Sequence, residues 1–452
     1  MVAGAASPLL TAPIGPTIIR LAAPNMIAMV VTMITLMAEA WYVGQLGSAS
    51  LAGLALAFPM MMLVMTLSGG SIGGTITGAV ARRLGAGDRP GAEALAFHAV
   101  LLVVLLAGAC ALVFLLGGSR IYRLLGGSGA VLEQALAYSD VLFLGCFSMW
   151  VANALAAIVR ATGKMLVAAK CLVAGSAVQV MAAGALVFGL GPFPKMGIAG
   201  AAAGIVIGYA VAAILLLVFL MTRCNELRLR FSGMPVQLAP MAAILKVGAL
   251  ASINSFCSIA AVSAITAFIA RLGVDVLAGY GIGSRLEFLL IPMVFGFGAA
   301  STALVGVHFG ANMIQRALQS GWTAAVYSAA LSGLIGAVIA VFPGLWANLF
   351  TDSESIRAAC RTYLQIVGPF YAFFGLALCL YFASQGAGRV AWPVIASVVR
   401  VLLIVVGCVM LAGVSSPQPA HFFWLIAAGM VTQALISGMA IRLGAWTRGR
   451  SR

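Results

Sequence analysis

The chain has 452 residues, of which 63% are hydrophobic and only 8% are charged. Soluble domains carry about 25% charged residues, so this composition excludes a soluble globular protein and indicates a polytopic membrane protein. The formal net charge of +15 could indicate a nucleic-acid-binding surface, but the short connections that hold most of the Lys and Arg residues favour a role in membrane topology.

Apolar runs long enough to cross a membrane recur along the whole sequence. A transmembrane helix needs about 20 apolar residues to span about 30 Å of hydrocarbon. Twelve runs meet this requirement, and they predict an all-α polytopic fold with twelve transmembrane helices. The predicted spans are 17–44, 51–81, 95–117, 136–159, 165–190, 198–222, 243–270, 277–309, 319–342, 359–384, 391–413 and 421–445.

The Arg and Lys residues are divided unevenly between the two sides that these spans predict. With both termini on one side, that side holds 17 of these residues and the other side holds 6, leaving out Arg285 and Arg400 within helices. Basic residues accumulate on the cytoplasmic side of membrane proteins. The sequence therefore predicts a multi-pass protein of the inner (plasma) membrane with both termini in the cytoplasm, and no nucleic-acid partner. The first apolar run is too long for a cleaved signal peptide.

Glu39 lies well inside the first apolar run and is one of only ten acidic residues in the chain. Asn25, Thr32, Thr35 and Glu39 share one face of a helix, because they are separated by seven, three and four residues. A carboxylic acid on such a polar stripe can bind a proton from one side of the membrane and release it to the other. We therefore expect a cation-coupling site at this stripe.

Two further interpretations concern the same helix. Pro24 has no backbone N–H, so we expect it to be a conformational hinge whose geometry responds to protonation. A structural role for Glu39 is also open, in which it pairs with a basic residue such as Lys170 or Arg400. Ionisable residues inside membrane spans are functional by default, which favours the cation-coupling interpretation.

Glu287, in the eighth span, is the second acid well inside a hydrophobic segment. It is either a counter-ion for substrate or a structural partner of a basic residue, and the sequence does not decide between these roles. A cavity for amphipathic compounds needs adaptable apolar side chains and a few polar groups. The expected substrate contacts are Glu287, Met33, Asn153, Tyr371, Phe374 and Gln385.

An internal repeat divides the chain into two halves of six helices. Leu51-Ala52-Gly53 recurs as Leu277-Ala278-Gly279 at an offset of 226, and Tyr138 recurs as Tyr363 at an offset of 225. Since each repeat holds an even number of helices, both copies enter the membrane from the same side. The predicted domains are an N-terminal bundle (1–225), a cytoplasmic linker (226–240) and a C-terminal bundle (241–452).

Several motifs resemble, in order and spacing, those of the multidrug and toxic compound extrusion (MATE) family. They are Glu39 to Gly47, Ala81 to Asp88, Arg160 to Gly163, Gly197 to Ala202 and Gln385 to Arg389. The resemblance covers essentially the whole chain. It implies two pseudo-symmetric bundles around a V-shaped cavity. It also implies a secondary active antiporter that exports amphipathic, often cationic compounds by alternating access, in exchange for protons or sodium ions.

The chain departs from the family pattern at positions that bear on the driving ion. An Asp usually stands where Glu39 stands, and an Asn and Asp in the fifth helix correspond here to Gln179 and Ala183. Gln179 is therefore the fifth-helix candidate for the coupling site. The acids typical of the NorM-like branch in helices seven and ten are missing, which places the chain nearer the DinF-like branch. Because sodium prefers a cage of several oxygen ligands, proton coupling is expected over sodium coupling.

Other functional classes have less support in the sequence than a transporter. No Walker A, G-x-S-x-G or H-E-x-x-H motif occurs in the sequence, so we expect no enzyme activity, no cofactor and no metal site. A flippase for a lipid-linked or amphipathic precursor is the main alternative, and a membrane receptor is a third class. The expected partners are amphipathic small molecules and membrane lipids, and the expected oligomeric state is a monomer.

Overall fold

The computed structural model describes residues 8–229, 235–413 and 418–447. All regular elements in these residues are helices. Eleven of them are long and apolar enough to cross a membrane, and one bent pair of helices makes a twelfth span. The predicted all-α fold with twelve transmembrane helices is confirmed.

The twelve spans are numbered in chain order. They are α1 (Ile14–Gly44), α2 (Ser48–Gly85), α3 (Arg89–Leu124), α4 (Gly129–Leu144 with Cys146–Ala161), α5 (Met165–Phe188), α6 (Ile198–Thr222), α7 (Leu238–Leu272), α8 (Val274–Gly310), α9 (Ile314–Val341), α10 (Glu354–Ala387), α11 (Ala391–Ala412) and α12 (Pro419–Arg442). Two short helices, Pro8–Thr11 and Gly344–Ala347, precede α1 and follow α9. Each predicted span overlaps one of the twelve, and several helices extend beyond the apolar run that predicts them.

Helix α4 is bent by 48° between Leu144 and Cys146, whereas the sequence predicts one continuous span over 136–159. Gly145 lies at the bend, where a Cβ atom would collide with Val206 of α6. The missing side chain therefore allows α4 and α6 to approach each other closely. The hydropathy of a span carries no signal for such a bend, so the sequence does not predict it.

Helix α2 contains a π-helical segment, Thr66–Ile72. Such wide turns occur frequently at functional positions of helices. Asn153 of α4 donates a hydrogen bond from Nδ2 to Oγ of Ser68 in this segment at 3.0 Å. The predicted substrate contact Asn153 is thus engaged with the wide turn of α2 in this conformation.

Small residues bring the backbones of α5 and α6 together. Gly200, Gly204 and Gly208 recur every four residues along α6 and so share one face. A Cβ atom at Gly204 would lie 2.6 Å from Cβ and 2.7 Å from the backbone nitrogen of Ala183 in α5. Membrane helices use such ridges of small residues to pack closely, and this one fixes the position of the side chains on α5.

The contacts divide the chain into two compact units. The first unit is Ala23–Gly248, and the second unit is Ala249–Arg452 together with Met1–Ala22. These boundaries differ from the predicted ones at 225 and 241, because α1 and α7 each begin in one unit and continue in the other. The two crossings are equivalent in the repeat, since Ala22 and Gly248 are 226 positions apart. Pro24 lies immediately after the crossing in α1.

The predicted linker packs against the first unit where it is described. Leu227 is completely buried, and Glu226 forms an ion pair with Lys164 at 2.6 Å. The backbone N–H of Arg228 donates to Oε1 of Glu93 in α3 at 3.0 Å. Some residues that enter the predictions lie outside the described part of the chain. They are residues 230–234 of the linker and Arg448, Arg450 and Arg452 of the basic tail.

Asp88 stabilises the start of α3. Its Oδ1 accepts a hydrogen bond from the backbone N–H of Gly91 at 2.9 Å, and its Oδ2 pairs with Arg83 at 2.7 Å. The Gly91 hydrogen bond and, after it, the Arg83 guanidinium hold the pKa of Asp88 below its usual range. The stabilisation from this carboxylate is therefore present above the usual Asp pKa and is lost as pH falls through the lowered pKa.

We expect the substitution Asp88→Ala to lower the free energy of unfolding by about 1 kcal/mol, since it removes the N-cap. Asp88→Asn keeps a capping oxygen and loses the exposed ion pair with Arg83, so it costs less. Thermal unfolding of the three proteins in detergent at neutral pH tests this order. In strongly acidic solution the unfolding midpoints of the wild type and Asp88→Asn should become equal. Equal costs for the Ala and Asn variants at neutral pH would show that Asp88 does not act as a cap.

Candidate functional site

Glu39 of α1 is buried inside the first unit. Its side chain is 3% exposed, and its Oε1 accepts a hydrogen bond from the hydroxyl of Tyr138 in α4 at 2.7 Å. Its Oε2 has no hydrogen-bond partner among the described residues. It forms no ion pair with any described Lys or Arg of the same unit. A buried carboxyl group without a counter-ion changes its interactions strongly when it gains or loses a proton.

Tyr138 can serve both protonation states of Glu39. Its hydroxyl oxygen lies 2.7 Å from Glu39 Oε1 and 3.1 Å from Sδ of Met61 in α2. When Glu39 is a carboxylate, the hydroxyl donates to it. When Glu39 is protonated, the carboxyl group can donate to the tyrosine oxygen, and the hydroxyl can turn its proton to Met61, a weak acceptor. A proton can therefore bind or leave while Tyr138 stays hydrogen-bonded.

The other members of the predicted polar stripe lie along α1 but are not hydrogen-bonded to Glu39. Thr32 and Thr35 each donate to the carbonyl oxygen four residues earlier in α1, at 3.0 and 2.8 Å. Asn25 Nδ2 lies 3.2 Å from Sδ of Met165 at the start of α5. These groups stabilise α1 and its packing on α5, and the hydrogen bond to the Glu39 carboxyl group comes from α4.

Gln179 lies in a pocket that Glu39 does not line. The pocket is small and partly open, and it is formed by α1, α5 and α6. Its lining residues are Thr32, Leu172, Gly175, Ser176, Gln179, Gly208, Tyr209 and Ala212. Among the predicted coupling residues, the structure therefore brings Gln179 to Thr32 and does not hydrogen-bond it to Glu39.

Glu287 of α8 has a tyrosine partner of the same kind in the second unit. Its Oε1 accepts a hydrogen bond from the hydroxyl of Tyr363 in α10 at 2.6 Å, and Tyr363 is completely buried. The repeat relates Tyr363 to Tyr138 at the offset of 225. Both units therefore place a buried tyrosine at equivalent positions and direct its hydroxyl at a carboxyl group.

The two carboxyl groups occupy different positions around these equivalent tyrosines. At the offset of 226, Glu287 corresponds to Met61, and Glu39 corresponds to Ile265. Met61 contacts the tyrosine hydroxyl of its unit as Glu287 does in the other unit, so the sequence correspondence holds in space. Ile265 is buried in the same apolar cluster as Tyr363. The acid thus comes from α1 in the first unit and from α8 in the second.

A basic side chain lies beside Glu287. Arg400 of α11 is close enough to interact electrostatically with Glu287, Tyr280 and Tyr363. Its Nη1 donates to Oε1 of Gln433 in α12 at 3.1 Å, whereas its Nε is buried without a hydrogen-bond partner among the described residues. The acid in the second unit therefore has a nearby positive charge, which distinguishes it from Glu39.

A chain of buried amide and hydroxyl groups supports Arg400. Gln433 donates from Nε2 to Oγ of Ser397 in α11 at 3.0 Å, and the Ser397 hydroxyl donates to Oδ1 of Asn254 in α7. All three side chains are buried. A buried polar network rigidifies the groups it connects, so α7, α11 and α12 together fix the position of the guanidinium.

The remaining predicted substrate contacts are distributed over both units. In α10, Tyr371 and Gln385 are completely buried, and Phe374 packs against the main apolar cluster of the second unit. Tyr371 is near enough to interact electrostatically with Glu287. Met33 of α1 is half-buried in the first unit. The structure thus brings one of these residues, Tyr371, to the Glu287 site.

The two tyrosine partners are not among the site residues that the sequence predicts. Tyr138 and Tyr363 are 99 and 76 residues from their carboxyl partners, so no local spacing identifies them. The available signal is the repeat, because the same hydroxyl-bearing residue stands at equivalent positions of two spans. Buried tyrosine hydroxyls usually find a hydrogen-bond partner, and few polar partners exist within these spans.

Comparisons with known proteins identify the relatives of this chain. The sequence profile of the MatE family matches residues 24–186 and 251–410, well over half of the chain. The FAD transporter of Shewanella oneidensis is 22% identical, over 88% of this chain and 87% of its own length. The probable multidrug resistance protein NorM of Thermotoga maritima is 25% identical, over 85% of this chain and 82% of its own length.

The fold has close counterparts among solved structures. One of these is an outward-facing conformation of a multidrug resistance MATE family transporter of the MOP superfamily. It has a TM-score of 0.88 at 23% identity, and the similarity covers 98% of both chains. The two segments of the profile match fall in the two halves of the repeat. The chain therefore belongs to the MatE family, the multidrug and toxic compound extrusion transporters that its motifs resemble, and it is a multi-pass membrane transporter, not an enzyme.

Proposed function

We propose that this transporter exports amphipathic small molecules and that inward movement of protons through Glu39 drives the export. Membership of the MatE family supports the direction of transport, and the relatives named as multidrug resistance proteins support the substrate class. Glu39 supplies the coupling. Its carboxyl group is buried in the first unit, where a gain or loss of charge has large energetic consequences.

The observation that carries this proposal is the contact between Glu39 and Tyr138. The carboxyl group accepts one hydrogen bond, at 2.7 Å, and forms no ion pair with a described Lys or Arg of its unit. The next group beside the tyrosine hydroxyl is Sδ of Met61. A sodium ion favours several oxygen ligands, by the hard-cation preferences known for calcium and magnesium, and a thioether is a poor ligand for a hard cation. A proton needs one basic oxygen and a partner that accepts either hydrogen-bond direction, which these residues supply.

Pro24 is the proposed hinge for the accompanying conformational change. It lies within α1, fifteen residues before Glu39 and just after the point where the helix passes from the second unit to the first. A proline in a helix interior removes one backbone hydrogen bond and lowers the resistance to bending. Protonation of Glu39 changes the interactions of α1 with α4, and Pro24 allows α1 to respond by bending. Alternating access is the proposed outcome of such a change.

The membrane location, the oligomeric state and the branch of the family complete the proposal. The uneven distribution of Arg and Lys supports insertion in the inner membrane with both termini in the cytoplasm. The proposed active form is a monomer in contact with membrane lipids. The departures from the NorM-like pattern in helices seven and ten support a place in the DinF-like branch.

A second candidate function is the movement of anionic amphipaths, as in a flippase for a lipid-linked precursor. The specific observation that favours it is Arg400, a basic side chain inside the second unit whose buried Nε has no hydrogen-bond partner in the described part of the chain. One relative is named an FAD transporter, and FAD is an anionic compound.

Flux measured in proteoliposomes under separate imposed gradients tests the proposed function. The purified full-length protein is reconstituted, and movement of a fluorescent amphipathic cation is followed under a proton gradient or under a sodium gradient of equal size. We expect the proton gradient alone to accelerate flux. Flux driven by sodium and not by protons would contradict the assignment of Glu39 as a proton site. Flux of an anionic dye alone would favour the second candidate function.

A further inference from the structure

Arg400 has hydrogen-bonding capacity that the protein does not use. A guanidinium carries five N–H donors in a fixed planar arrangement. One donor of Arg400 is bound by Gln433 at 3.1 Å, and the buried Nε has no partner among the described residues. No ion pair joins Arg400 to a described acid. Buried donors without partners are costly, so a group that accepts from them would be stabilised here.

Glu287 controls the charge that Arg400 presents. As a carboxylate held by Tyr363 at 2.6 Å, Glu287 offsets the charge of the guanidinium, and the pair is neutral overall. Protonation of Glu287 removes this compensation and leaves a net positive charge in the second unit. A positive charge in a membrane-spanning segment attracts an anion more strongly than it would in water, because screening is weaker there.

We propose that Arg400 is a binding group for the oxyanion of an amphipathic ligand, a sulfonate, carboxylate or phosphate, and that protonation of Glu287 makes it available. A guanidinium binds such oxyanions through two parallel hydrogen bonds. Aromatic side chains lie beside the pair, and they would contact the apolar part of the ligand. These include Tyr280, whose ring packs edge-on against Tyr363 at 5.5 Å. The inference rests on the proposed export function only for the amphipathic nature of the ligand.

The effect of pH on ligand binding is set by the described titratable groups that face Glu287 and Arg400. They come from α7, α8, α10 and α11. They are Glu287, Tyr280, Tyr363, Tyr371, Arg400, Cys257, Cys360 and Cys408. Glu287 is the one carboxyl group in this set. Tyrosine, cysteine and arginine in their usual forms keep their charge through mildly acidic pH, so a change of ligand affinity in that range reports on Glu287.

Equilibrium binding of decanesulfonate to the full-length protein in phosphatidylcholine nanodiscs tests the proposal. The sulfonate keeps one negative charge at all pH values used, so any pH dependence belongs to the protein. Decyltrimethylammonium, with the same chain and a fixed positive charge, is the matched probe. The wild type is compared with Glu287→Gln, Arg400→Gln and the control Glu133→Gln, which alters an exposed acid of α4. Binding needs no ion gradient, so the outcome is independent of the transport assay.

We expect the wild type to bind decanesulfonate about tenfold more tightly at mildly acidic than at neutral pH, the order expected for a hydrogen bond to a charged group. Glu287→Gln should bind tightly at both pH values. Arg400→Gln should bind weakly at both, and Glu133→Gln should behave as the wild type. The ammonium probe should show no such preference for acidic pH.

Two results would overturn the proposal. In one, Arg400→Gln keeps the affinity of the wild type for decanesulfonate. In the other, Glu287→Gln keeps the full pH dependence. If Glu287 and Arg400 serve only as a structural pair, each variant lowers the thermal stability without changing the pH dependence of binding. Nanodiscs that contain an anionic phospholipid identify the source of the ligand. If the anionic phospholipid competes with decanesulfonate in the wild type but not in Arg400→Gln, the site binds a lipid headgroup. If the phospholipid does not compete in the wild type, the site binds a soluble amphipath.

Discussion

Substituting Glu39 by Gln should abolish proton-driven export while leaving the transporter folded. Gln has nearly the shape of a protonated glutamic acid, so it can accept the hydrogen bond that Tyr138 now donates at 2.7 Å. It cannot bind or release a proton at neutral pH. Flux under a proton gradient should fall to the rate without protein, a loss of about tenfold or more. Equilibrium binding of substrate and the thermal unfolding midpoint should change little.

Two further variants show whether the loss comes from the coupling site. Glu133→Gln removes an exposed acid of the same unit and should leave proton-driven flux unchanged. Tyr138→Phe keeps the carboxyl group but removes its hydrogen-bond partner. It should reduce proton-driven flux by about tenfold, the value expected for a lost hydrogen bond to a charged group. Full coupled flux in Glu39→Gln would show that Glu39 is structural, and the driving site would have to lie elsewhere.

Replacing Gly204 by Leu should destabilise the first unit more than any other change considered. A Cβ atom alone at this position would lie 2.7 Å from the backbone nitrogen of Ala183, so a larger side chain must push α5 and α6 apart. Overpacking in a close-packed interior costs about 1–3 kcal/mol, and more when backbone atoms must move. Thermal unfolding in detergent measures the loss. Flux should fall with it, since the same unit holds Glu39 and Tyr138.

Gly281 of α8 provides the matched control for this substitution. A Cβ atom there would have no other heavy atom within 4 Å, so Gly281→Leu adds the same bulk to a transmembrane helix without a collision. We expect its unfolding midpoint to stay close to that of the wild type. A similar loss of stability in both variants would show that the added bulk, and not the contact between α5 and α6, is responsible.

The helices of this protein are predictable from its sequence because the membrane imposes a simple requirement. A span must be apolar over about 20 residues and must satisfy its own backbone hydrogen bonds. Twelve runs satisfy this requirement, and the described residues contain eleven such helices and one bent pair that makes a twelfth span. The bend at Gly145 is not predictable in the same way, because it depends on contact with Val206, a residue of another helix. The crossings of α1 and α7 between units also depend on tertiary contacts.

The candidate site is predictable in part. Glu39 and Glu287 stand out because acids are rare in apolar spans, and this reasoning needs no partner. Their partners could not be derived from spacing, since Tyr138 and Tyr363 come from other helices far along the chain. Gln179, expected near Glu39, lies in a pocket with Thr32. Periodicity along α1 groups the polar residues on one face, but it does not show which neighbouring helices those residues meet.

The crossings of α1 and α7 bear on the origin of the repeat. Residues 8–22 belong to the second unit, and the equivalent described residues, 235–248, belong to the first. Each half of the sequence therefore begins with a segment that packs in the unit built mainly from the other half. An ancestral polypeptide of one half, before duplication and fusion, would have been a homodimer whose two copies exchanged their first segments. Separately expressed halves of the present chain should accordingly depend on each other to fold.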